Sequence, residues 1–127
     1  MNAGILFAAR IMMAGIFVWD AWLIIAGWQA AIAYTESFGV PGVLLPGAVL
    51  FQGAGGLLLA AGWQTRWLAL GFAGYALLTA LIFHLQPGNV PELLHFGKNF
   101  AIAGGFLVLF VTGPGSWSLD RAGSSRA

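Results

Sequence analysis

Long stretches of this chain carry no charged side chain, and that restricts its fold more than any other feature. Val43 to Gly62 and Trp67 to Leu85 contain no Asp, Glu, Lys or Arg. Over 127 residues only 7% are charged and 60% are hydrophobic, whereas a soluble domain typically carries about a quarter charged residues. Such a chain cannot build a water-facing surface. In hydrocarbon every backbone polar group needs a partner within the protein, which leaves helices for runs of this length. Four runs reach the roughly 20 residues needed to span, at about 4–27, 43–62, 67–85 and 91–112. The expected fold is an all-α membrane protein, one domain over 1–127 with four transmembrane helices in one antiparallel bundle.

The fourth run has to be argued from its start. From Asn99 to Thr112 it is too short to span, but Asn89 suits an N-cap, Pro91 a first turn and Glu92 the positive helix end. Starting there places His95, Lys98 and Asn99 inside the membrane. Gly113 and Pro114 then end the helix, and Trp117, between Ser116 and Ser118, suits the headgroup layer. Between the first two runs, residues 28–39 read as a short, partly interfacial helix closed by Gly39. A secretory signal cleaved after Ala31-Ile32-Ala33 is disfavoured by Asp20 within the first run and by the three spans that follow.

Arg10, Arg66, Arg121 and Arg126 fall at the end of the bundle that carries both termini, against Lys98 nearer the other. By the distribution of basic residues both termini are cytoplasmic, in a cell (inner) membrane, with Glu36 and Glu92 outside. Trp63, Trp67 and Trp117 would form the inner aromatic belt and Trp28 would join the outer one. The absence of cysteine removes disulfides, thiolate chemistry and iron–sulfur ligation. A net charge of +1 with no basic patch argues against a nucleic-acid partner.

Helices in lipid meet through small residues. Ala48, Gln52, Gly56 and Ala60 recur at i+4, which turns Gln52 into the bundle. Ala69, Ala73, Ala76 and Ala80 form a second stripe, with His84 at its outer end. Glu92, His95 and Asn99 share one face of the fourth span, with Gly104 and Gly105 below them for close approach, and Gly53, Gly55 and Gly56 suit a helix neighbour or a ligand pressed against the backbone. At about 1.5 Å rise per residue, Asp20, Gln52 and Lys98 lie roughly 10–14 Å below the outer boundary. Asp20, Gln52, His84, His95, Lys98 and Asn99 therefore crowd the outer half of the bundle, and the inner half is apolar apart from Arg10, which reads as snorkelling to headgroups. Gln52, His84, His95 and Asn99 are the candidate ligand-binding residues, and Asp20 with Lys98 a candidate buried ion pair, structural or functional. No catalytic residue can be named. Two histidines on neighbouring helices would also suit a bis-imidazole haem, and with Asp20 or Glu92 a metal, but neither reading gains support elsewhere in the sequence.

The chain resembles the DoxX family of small four-span membrane proteins nearly end to end: Arg10, GVP at 39–41, GGLLLAAGWQTR at 55–66, His84, Lys98-Asn99 with Gly104-Gly105, and GPGSWSLD at 113–120. Gln52 stands where many relatives have Glu, and Asp20 and Leu23 stand where a small residue and a Lys are common. The resemblance implies a membrane subunit associated with quinone-linked oxidoreductases. A quinone needs an apolar slot, a few donors for its carbonyls and a proton relay, and the outer-half cluster offers such groups. The sequence shows no electron carrier, so electrons would pass through a redox partner subunit or a bound cofactor. A ligand-free scaffold, alone or as a homo-oligomer, is the competing expectation. A small-solute carrier fits less well, since no broken helix or internal repeat is evident.

Overall fold

The computed structural model describes residues 2–124, with side chains to Arg121; Arg126, counted above for topology, lies outside the described residues. The described residues form helices and turns, with no strand among them. Four helical segments are long and apolar enough to cross a membrane: Ala3–Ala26, Gly42–Ala61, Thr65–His84 and Val90–Thr112. They are named the first to fourth spans. The fourth begins under Asn89, whose side chain accepts from the Glu92 amide, and ends at Gly113 with φ 77°. At 23 residues and about 1.5 Å rise per residue it crosses about 35 Å, enough for a bilayer core.

The first span packs chiefly on the second and the third on the fourth. Gly56 sets the first pairing: a Cβ there would lie 2.7 Å from Val18 Cγ2 and 3.4 Å from the Ala14 carbonyl oxygen. On the third span Ala69, Ala73, Ala76 and Ala80 are all buried, so the alanine stripe is the face turned inward. In the fourth span it is Gly105, not Gly104, that admits a neighbour: its would-be Cβ meets Met13 Cε at 3.1 Å, and nothing approaches Gly104.

The packed core lies in the middle of the bundle and in the half that carries the termini, called proximal here. Phe17, Phe72 and Phe106 meet there, with ring centroids 4.8, 5.7 and 5.3 Å apart, among Ala14, Leu59, Ala76, Ala103 and Leu109. The opposite, distal half is held differently. Helix Trp28–Ser37 lies across it, and Tyr34 and Phe38 pack on Phe83 of the third span at 5.7 and 5.1 Å.

The proximal end is closed by the segment after the fourth span. Arg10 is fully buried and does not snorkel. Its guanidinium donates from Nε to the Ala60 carbonyl at 3.1 Å, from Nη1 to Pro114 at 2.6 Å and from Nη2 to Trp117 at 2.7 Å. The physical reason is supply and demand: a helix end and a tight turn leave carbonyls without donors, and five N–H groups in a planar fork meet three of them. Asp120 completes the lock. Its two carboxylate oxygens accept from the Gln64 and Thr65 amides at 2.7 and 2.8 Å, and its own amide donates to Gly62. Asp120 thus caps the third span from a distance in sequence, and holds Gln64 at a φ of 49°, rare for a residue with a side chain. The glycines of GPGSWSLD, at φ 77° and 84°, give that segment its turns.

Candidate functional site

Two departures from regular α-helix bring the distal polar residues together. Phe51–Gly55 in the second span and Ala80–His84 in the third are single π-helical turns, a form found often at functional sites. Each shifts the helix face by the one extra residue in its turn. Both edge a cavity of about 560 Å³ enclosed by all four spans and helix Trp28–Ser37. Asp20, Gln52, Tyr75, Thr79, His84 and Asn99 contribute its polar lining, with Tyr34 and Thr35 from above. Ile16, Leu44 and Leu78 line it too and are themselves exposed, so its apolar side reaches the lipid-facing surface.

Gln52 is the most telling residue of the site. It is 1% exposed, and its Nε2 has no hydrogen-bond partner. The Asp20 carboxylate stands close enough to interact with the amide, yet leaves that donor without a bond of proper geometry. Leaving a buried donor unpaired costs on the order of 1–3 kcal/mol.

The other expected residues divide. Asn99 reaches the cavity, but its Nδ2 is occupied, donating to the Ala76 carbonyl at 3.2 Å and Thr79 Oγ1 at 3.3 Å. It ties the fourth span to the third. His84 Nδ1 and Glu92 Oε2 are 2.7 Å apart at the distal rim, and the His95 ring lies 5.5 Å from that of His84. His95 itself is exposed and does not line the cavity.

The expected Asp20–Lys98 pair is not formed. Asp20 lines the cavity, whereas Lys98 is exposed and makes no ion pair or hydrogen bond among the described residues. The two lie at similar depth, but successive helical residues point about 100° apart. With Asn99 bound to the third span, Lys98 is turned away. No group of three His, Asp or Glu gathers as a metal site among the described residues.

Sequence reasoning missed Tyr34, Thr35, Tyr75 and Thr79. A hydroxyl on an otherwise apolar helix carries no periodic signal, and only the two π turns and the crossing helix aim these at one space. Burial and the neighbouring Glu92 carboxylate both raise the pKa of Tyr34, so it stays a neutral O–H donor at physiological pH.

A protein-family model described as DoxX matches residues 5–85. The chain is 43% identical over 120 residues to the inner membrane protein YqjF of Escherichia coli K12, covering 94% of this chain and 92% of that protein. It is 37% identical over 124 residues to the inner membrane protein YphA of the same organism, covering 92% and 89% respectively. No solved structure matches it.

Proposed function

The chain belongs to the DoxX family of integral membrane proteins, and on that premise we propose that it serves as a membrane subunit of a quinone-linked oxidoreductase system, receiving a quinone ring in the distal cavity. The observation that carries this reading is Gln52: a buried amide donor left without a partner beside a lipid-open cavity. A ring carbonyl is the acceptor such a donor lacks, and a carbonyl needs no charge on its partner. The Tyr34 hydroxyl supplies a second donor from the crossing helix. The isoprenoid tail leaves past Ile16 and Leu78 into hydrocarbon. Quinol oxidation releases two protons and two electrons; Asp20 inside the cavity and the His84–Glu92 pair at the rim are placed to pass the protons, and a partner subunit's redox carrier takes the electrons. Both termini are cytoplasmic in this reading, so the rim faces outward.

The test exploits the orphaned donor. Gln52→Met keeps the volume and removes the unpaired amide, so the variant should be as stable as the wild type or more so, by up to about 1–3 kcal/mol. Protein purified with native lipids should nonetheless lose most of its co-purifying quinone. Quinone retained by Gln52→Met at the wild-type level would remove the ring from this cavity. One observation favours the competing scaffold reading, in that Asn99 spends its donor on helix packing. A wild type that retains no quinone would favour it too.

A further inference from the structure

Six hydroxyl and amide side chains line the distal cavity, and the donors of three are spent within the protein. Thr35 Oγ1 donates to the Ala31 carbonyl, Thr79 Oγ1 to carbonyls of its own helix, and Asn99 Nδ2 to the third span. The donors of Gln52, Tyr34 and Tyr75 make no hydrogen bond of proper geometry among the described residues. We propose that Tyr75 is a quinone-binding residue, its hydroxyl donating to the same ring oxygen that Gln52 meets, so that one carbonyl is held by two donors at the cavity floor. The assignment rests on the quinone reading above and adds to it the orientation of the ring.

The two donors come from different spans and meet at one depth. At about 1.5 Å rise per residue, Gln52 lies roughly 15 Å below the distal start of the second span and Tyr75 roughly 13–14 Å below the distal end of the third. The Tyr75 ring is clamped between Phe51, which precedes Gln52 in the chain, at 5.4 Å and Phe17 at 6.1 Å. Its hydroxyl, unlike Gln52 Nε2, is not enclosed by protein, and so opens on the cavity that the residue lines. Asp20 stands within electrostatic reach of both groups.

A merely structural tyrosine does not fit these facts. The ring would pack equally well as phenylalanine, and a buried tyrosine hydroxyl normally finds a partner within the protein. Tyrosines at a membrane surface find water in the headgroup layer, which Tyr75 is too deep to reach. What remains is an acceptor brought by a ligand. A carbonyl oxygen has two lone pairs and accepts from two donors, and donors already held in place lose little freedom on binding. Tyr34, at the roof of the cavity, is left for the opposite oxygen. The ring then stands from floor to roof, which suits a para-quinone.

The full-length protein in detergent is stripped of lipid and loaded with a short-tailed ubiquinone, isotope-labelled at one carbonyl carbon or the other, and the carbonyl bands are read by infrared spectroscopy. In the wild type one carbonyl should absorb well below its frequency in the free quinone. Tyr75→Phe and Gln52→Met should each move that same band part of the way back and leave the other in place, whereas Tyr34→Phe should move the other. Tyr75→Phe should weaken ubiquinone binding about three- to tenfold, the worth of one neutral hydrogen bond. It keeps the ring and breaks no bond within the protein, so its unfolding temperature should not fall. Bound quinone with the same bands in Tyr75→Phe as in the wild type would overturn the assignment and leave the quinone reading standing. So would Tyr75→Phe and Gln52→Met acting on different carbonyls. A wild type that takes up no quinone would overturn both.

Discussion

Replacing Arg10 with Met should destabilise this protein severely. The methionine keeps much of the apolar stem and deletes all three donors to Ala60, Pro114 and Trp117. Three part-buried carbonyls left unpaired, at up to about 1–3 kcal/mol each, give roughly 3–9 kcal/mol as an upper bound. Removing the cation itself returns part of its own desolvation cost, which is several kcal/mol per buried ion, while Asp120 loses its offsetting charge. The net expectation is a loss of about 3–5 kcal/mol, in line with breaking a buried charged contact from one side. At roughly 4 °C per kcal/mol for a chain of this size, thermal unfolding in detergent should move down by about 12–20 °C. Arg10→Lys keeps the charge without the planar fork and should lie between. An Arg10→Met midpoint within a few degrees of the wild type would refute the reasoning, and would return Arg10 to the role of a headgroup contact.

Gly62→Ala should destabilise by about 2 kcal/mol or more, because Gly62 has φ 80° and a Cβ there would collide with Ser118 and press on Arg10; chemical denaturation in mixed micelles measures it. Asp20→Asn and Lys98→Gln should be additive within about 0.5 kcal/mol in a double-mutant cycle, and a larger coupling would bring back the ion pair. A cysteine at Glu36 should react with an impermeant thiol reagent in intact cells while one at Ser116, exposed at the opposite end, stays protected; the reverse pattern would invert the orientation.

What could be read from the sequence followed from periodicity and punctuation. The alanine stripe of the third span, the inward turn of Gln52 and the Asn89 cap are local patterns, and hydrocarbon leaves an apolar run little choice but helix. The fate of Arg10 was not legible, since the carbonyls it binds lie 50 to 107 positions away in the chain. A lone arginine near a helix start looks the same whether it snorkels or is buried. Lys98 failed for another reason: rise per residue gives depth but not rotation, and the rotation is fixed by two hydrogen bonds from Asn99 to the third span. The cavity was half visible. Its depth and several of its polar groups could be placed, but the π turns at Phe51–Gly55 and Ala80–His84 and the aromatic clasp of Tyr34, Phe38 and Phe83 arise only when the helices meet. The segment GPGSWSLD lies beyond residues 5–85, where the family model matches. Its role emerges from the lock it forms with Arg10 and Gly62.

The central claim is that a quinone ring occupies the distal cavity against Gln52. The most direct measurement is photolabelling of the full-length protein in native membranes with an azido-ubiquinone, followed by peptide mapping. The account predicts label on peptides carrying Gln52 and the 75–84 segment, suppressed by excess unlabelled quinone and lost in Gln52→Met. Label confined to lipid-facing positions away from the cavity, or insensitive to excess quinone, would contradict it.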